Sequence, residues 1–173
     1  MDLLIELLKM SIPAIVVSVT VVFIISGYFK NSTQLKEQEL MIRTREVSLP
    51  LRLQAFERLV LLMERISINN LLLRMGSSGM SVQDYSFQLI HTINQEFEHN
   101  LAQQLYISNA AWERVKGAKD ATILLVNNCA ENLDGNAPAQ ELVNLLVGQL
   151  SQQEIPVTTD AIFFLKKEAE KFE

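Results

Sequence analysis

The sequence predicts an all-α protein: one N-terminal transmembrane helix followed by a cytoplasmic bundle of about five or six helices. Three observations predict it. Residues 10–29 contain no charged side chain. Beyond them, apolar side chains recur at steps of three and four, the period of a helix with one buried face. No series of short alternating runs joined by hairpin turns occurs, so a sheet is not expected.

Composition narrows the function classes. The 173 residues are 49% apolar and 20% charged, with 6 Gly and 4 Pro. Such a chain is neither disordered, collagen-like nor of low complexity. One cysteine excludes an intramolecular disulfide framework and a cysteine-only zinc site. A net charge of −5 argues against nucleic acid as a partner.

The uncharged run lies between Lys9 and Lys30 and is rich in Val and Ile. Twenty residues at about 1.5 Å rise cover about 30 Å, a bilayer core. Backbone groups in lipid must pair internally, so this run should be a helix despite its β-branched content. Pro13 falls in the first turn, and Tyr28 and Phe29 sit where aromatic anchors belong. A cleaved signal peptide would want a basic start and a small-x-small exit. The chain starts with Asp2 and Glu6 and leaves the run through Gly27-Tyr28-Phe29-Lys30. Only Lys9 precedes the run, whereas Lys30, Lys36, Arg43 and Arg45 follow it, so the C-terminal side is expected to be cytoplasmic. The expected organisation is a short outer tail (1–9), a single-pass span (10–29), a helical stalk (30–48) and a bundle domain (49–173). The location this implies is the cell inner membrane.

The stalk is polar and of mixed charge, and Pro50 is expected to mark a break by disfavouring α geometry at Leu49. A helix then runs from about Pro50 to Ser67 on Leu53, Phe56, Val60 and Met63, widened by Leu59, Leu62 and Ile66. A short apolar helix follows through Asn70 to Met75. Gly76-Ser77-Ser78-Gly79 is a loop. Ser81 caps the next helix, with Asp84 at the third position as in a capping box. Leu89, Ile93, Phe97, Leu101 and Leu105 recur every four residues and carry that helix to about Ile107. Ser108 caps a further helix with Val115, Thr122, Val126, Cys129 and Leu133 inside, closed at Asp134-Gly135 with Gly135 in the left-handed conformation. Asn136 caps a shorter helix with Pro138 in its first turn and Leu142, Val143, Leu146 and Leu150 inside. Pro156 opens the last helix, on Ile162, Leu165, Ala169 and Phe172, and Lys166 to Glu173 read as solvated charge. Helix-on-helix packing is the core such elements build.

The chemistry-bearing residues form no complete catalytic constellation. Glu96-Phe97-Glu98-His99 is a Glu-x-x-His spacing, but His91 follows Gln88 at that offset, so the second motif of a di-iron bundle is missing. Two histidines cannot supply a three-histidine zinc site. Cys129 reads as a small buried hydrophobe with no basic neighbour to activate it. No phosphate loop, dinucleotide fingerprint or nucleophile elbow is present. No cofactor, no metal and no enzymatic activity are therefore expected.

Charge is uneven. Residues 30–65 carry seven basic and five acidic groups, and residues 66–173 seven basic and thirteen acidic. A mildly basic neck suits anionic lipid headgroups, and an acidic head suits water or a basic partner. The amides Asn69, Asn70, Asn100, Gln103 and Gln104 lie beside apolar stripes, where they could form a register-fixing network, cap helix ends or line a partner groove.

The segments Leu49-Pro50-Leu51-Arg52-Leu53-Gln54-Ala55-Phe56-Glu57-Arg58, Ile68 to Arg74 and His99-Asn100-Leu101-Ala102-Gln103-Gln104-Leu105-Tyr106 resemble a family of small uncharacterised bacterial membrane proteins. The resemblance covers most of residues 10–130, and the residues beyond carry no matching motif. It implies one N-terminal span, a helical region and a bacterial inner-membrane location, and no activity or catalytic residue to carry over.

The expected function is an interaction or scaffolding module. Its partners would be the lipid bilayer through residues 10–29 and an unknown protein, with self-association an option through the small-x-x-x-small pair Ala14 and Ser18. The expected contact residues are Glu57, Arg58, Glu64, Arg65, Asn69, Asn70 and Asn100. The competing expectation is a membrane-tethered small-molecule sensor or enzyme. Its inter-helix pocket would lie around His99 and Glu96 and draw on Tyr85, His91 and Arg114.

Overall fold

A computed structural model of the chain describes residues 16–23, 25–26, 48–152 and 154–172. The chain divides into two units, Met1–Ser48 and Leu49–Glu173. In the first, residues 16–23 are helical and their apolar side chains all face outward, from 46% exposed at Val21 to 79% at Phe23. The hydroxyls here turn back to the helix: Thr20 Oγ1 donates to the Val16 carbonyl (2.8 Å) and Ser26 Oγ to that of Val22 (2.6 Å). Among the described residues no helix is long and apolar enough to cross a membrane. Half of the expected span 10–29, all of the tail and nearly all of the stalk lie outside the described residues.

The second unit is helical. α1 covers the described residues 48–66, α2 Ile68–Arg74, α3 Val82–Glu98, α4 Asn109–Glu131, α5 Ala139–Ser151 and α6 Val157–Ala169. Two 3-10 segments, Leu101–Leu105 and Glu170–Phe172, complete it. The described residues contain no strand, only an isolated bridge between Ser81 and Pro138. α4 is the central helix, packed on α3, α5 and α6. One core joins Phe56, Leu59 and Met63 of α1 to Leu89 and Ile93 of α3, Val115 and Val126 of α4, Leu142 and Leu146 of α5, and Leu165 of α6.

Helix boundaries follow local chemistry where a cap is local. Ser81 Oγ accepts from Asp84 N (3.1 Å) and donates to the Asp84 carboxylate (2.7 Å). Ser108 Oγ accepts from Ala111 N (3.1 Å). Pro156 opens α6 as expected. α1 ends because its last carbonyls are taken by α2: Asn70 Nδ2 donates to the Glu64 carbonyl and an Arg74 guanidinium N–H to that of Arg65, each at 2.7 Å.

Several expectations need correction. Leu49 and Pro50 are both helical, since the bias against α geometry before proline is a preference and not a prohibition. Leu53 is exposed, and Ala55 takes the buried position beside Phe56. α3 stops at Glu98 instead of near Ile107. Asn100 is the cause: its side-chain amide donates to the Glu96 carbonyl (2.8 Å), the acceptor its own backbone N–H would use, and that N–H goes instead to Phe97 (2.9 Å). Leu101 and Leu105 thereby leave the stripe, and Leu105 is 78% exposed.

At the end of α4, Gly135 has no positive φ, and α5 starts after Pro138 rather than after an Asn136 cap. The loop is shaped instead by pairing with the start of α3. Val82 N and Gln83 N donate to the carbonyls of Ala137 (2.9 Å) and Gly135 (3.0 Å), and Ala139 N donates to that of Met80 (3.0 Å). Two helix N-termini therefore satisfy each other's free N–H groups. In the C-terminal charged stretch Glu168 is buried, 7% exposed, and accepts from Ser108 Oγ (2.8 Å).

Candidate functional site

The expected contact residues separate into two places. Glu57, Arg58 and Arg65 of α1 line a surface cavity of about 430 Å³ together with Glu96, His99 and Asn100 at the end of α3. Glu64, Asn69 and Asn70 instead line a separate cavity of about 210 Å³.

Glu96 organises the first cavity. Its carboxylate takes Arg65 on one oxygen (3.2 Å) and Arg74 on the other (3.5 Å), and so joins α1, α2 and α3. Its side chain is mostly buried, whereas Arg65 reaches into solvent. Glu57, Arg58 and His99 have no hydrogen-bond or ion-pair partner among the described residues. The lining is thus a fixed Arg–Glu–Arg bridge surrounded by charged and imidazole groups that are free to meet something else. Asn100 is committed to capping α3, so its amide is structural.

The wider set proposed around His99 does not assemble. Tyr85 is fully buried, its hydroxyl donates to the Met75 carbonyl (2.9 Å), and burial pushes its phenol up from the usual value. His91 stacks on Phe87 at the surface, with centroids 6.2 Å apart. Arg114 pairs with Asp160 of α6 (3.0 Å) and lies over the Phe164 ring. Glu57, a carboxylate from another helix, does line the same cavity as Glu96 and His99. Among the described residues no group of three His, Cys, Asp or Glu side chains is placed to hold a metal ion. Cys129 is buried and free, and burial pushes its thiol up, the opposite of what a nucleophile needs.

Two of the amides beside the apolar stripes resolve as caps: Asn70 closes α1 and Asn100 closes α3. The Arg–Glu–Arg bridge went unread in the sequence because it joins three helices across 31 positions. The one local signal was the nine-residue step from Arg65 to Arg74, which the α1–α2 corner folds back on itself.

Comparison with curated proteins and with solved structures gives no match. A family model does match, over residues 2–172, and so extends through the C-terminal residues where the sequence resemblance found no motif. The chain belongs to the Family of unknown function (DUF7935).

Proposed function

We propose that this protein is a bacterial inner-membrane protein anchored by residues 10–29, with a cytoplasmic helical bundle that serves as an interaction module. The observation that carries the anchor is the helical stretch 16–23. Its valines and Phe23 are exposed on every side, while the hydroxyls of Thr20 and Ser26 are returned to backbone carbonyls. A helix without a polar face is stable in a solvent that is itself apolar. The basic excess after residue 29 supports a cytoplasmic C-terminal side.

The contact surface we assign is the α1–α3 cavity. Glu57, Arg58 and His99 present unpaired polar groups there, on a floor held rigid by the Glu96 bridge. Arginine held in place by a carboxylate bridge suits a protein surface carrying complementary charge. Crosslinking in native membrane tests this reading. The triple variant Glu57→Gln, Arg58→Gln, Arg65→Gln is expected to lose crosslinked species that the unaltered chain forms. An unchanged set of crosslinked species would contradict the assignment.

A second reading has one specific observation in its favour: Glu57, Glu96 and His99 meet at one cavity. It makes the cavity a small-molecule sensor site. Both Glu96 oxygens are already engaged by guanidinium groups, which leaves that carboxylate little room to take up a ligand. The interaction reading is therefore preferred.

A further inference from the structure

The smaller cavity, about 210 Å³, lies where α1, α2, α4, α5 and α6 converge. Its polar wall is the start of α6. Pro156 provides no side-chain cap, and the first intrahelical bond runs from Asp160 N to the Pro156 carbonyl (3.1 Å). The N–H groups of Val157, Thr158 and Thr159 precede that bond and remain free, at the positive end of the helix.

A second, independent feature lies on the same wall. Thr158 is 4% exposed, lines the cavity, and its hydroxyl has no partner among the described residues. The other buried threonine on this cavity, Thr122, is satisfied by the Ala118 carbonyl at 2.8 Å. No fully enclosed side-chain oxygen or nitrogen among the described residues lacks a partner. The Thr158 hydroxyl must therefore keep some accessible surface, and the space beside it is this cavity. On a residue otherwise buried, a hydroxyl left without a protein partner and open to the cavity offers its hydrogen bonds to a molecule from outside.

The lining also includes Glu64, whose carboxylate accepts from Asn70 Nδ2 at 3.4 Å, with Leu125, Leu150 and Ile162. Free N–H groups with a hydroxyl suit a carboxylate. Glu64 disfavours a bare anion, and the helix N-terminus disfavours a bare cation. A molecule carrying both charges satisfies both walls. The volume lies below the ~300–1,000 Å³ of pockets for drug-sized ligands, which limits the occupant to a small metabolite.

We infer that this cavity binds a free aliphatic α-amino acid. Its carboxylate sits on the α6 N-terminus and the Thr158 hydroxyl, its ammonium faces Glu64, and its side chain lies against the leucines. The site is separate from the α1–α3 cavity and does not depend on the membrane reading.

The test is calorimetric titration of the full chain in detergent micelles with L-leucine and L-valine. 4-Methylpentanoate and 3-methylbutylamine serve as the two half-ligands. At least one amino acid is expected to bind, and each half-ligand to bind at least ~10-fold more weakly, since a charged hydrogen-bonding wall is then left unmatched. Thr158→Val removes only the hydroxyl and strands no partner. Its ligand-free melting temperature should hold while amino-acid affinity falls ~10-fold or more. Glu64→Gln should erase the preference for leucine over 4-methylpentanoate. The proposal is overturned if neither amino acid binds, if 4-methylpentanoate binds as tightly as leucine, or if Thr158→Val binds leucine unchanged.

Discussion

Residues 16–23 and the bundle are built from the same secondary structure with opposite placement of apolar side chains. In the bundle, Leu59, Leu89, Ile93, Leu142 and Leu165 are fully buried, and most charged groups, Glu168 excepted, lie outside. In the N-terminal stretch Val16, Val17, Val19, Val22 and Phe23 are all exposed, and no polar face balances them. A 3.6-residue apolar period predicts a core, and apolarity without a period predicts a different solvent. One protein therefore carries two responses to the hydrophobic effect: self-burial in one unit and, in our proposal, burial in lipid in the other.

The sharpest way to break that comparison is a pair of matched truncations. Leu59→Ala, in the bundle core, is expected to lower stability by about 2–5 kcal/mol, from lost burial and the cavity left behind. Val19→Ala is expected to leave the melting temperature of the bundle unchanged, because Val19 is exposed and is not one of the core residues. Thermal denaturation followed by circular dichroism reads both. Equal losses would mean that the two regions share one core.

A smaller effect sharpens the account of the bundle alone. Ser108 caps α4 and also donates to the buried Glu168 of α6. Ser108→Ala should cost more than a lone cap, whose loss is typically about 1 kcal/mol, because it also leaves the Glu168 carboxylate without its donor. Glu168→Leu in the same background should recover part of the loss. A denaturant titration showing additive effects of the two changes would contradict the coupling.

Much of the bundle was legible where the cause is local. Ser81 and Ser108 announce their helices through side chains that reach only three residues ahead. Pro156 does the same by its fixed geometry. The stripes of α3, α5 and α6 locate most of the core, since helical period alone determines which side chains can share a face. What was not legible depends on chain segments far apart. The reciprocal capping of α3 and α5 joins residues 80–83 to residues 135–139. The burial of Glu168 needs Ser108, and the turn-out of Leu101 and Leu105 needs Asn100 to prefer a carbonyl over solvent. Of the candidate site, Glu57, Arg58 and Arg65 were readable as contact residues from their charge. Their assembly with Glu96 and His99 was not, because the corner between α1 and α2 decides it.

The central claim is that residues 10–29 hold this chain in a bilayer. The most direct test is alkaline carbonate extraction of membranes from cells expressing the full chain, beside the variant Val19→Lys, Val22→Lys. The unaltered chain is predicted to stay in the membrane pellet. The variant should move to the supernatant, because each lysine near the middle of a span opposes insertion by about 2.5–3.5 kcal/mol. Recovery of the unaltered chain in the supernatant would contradict the account.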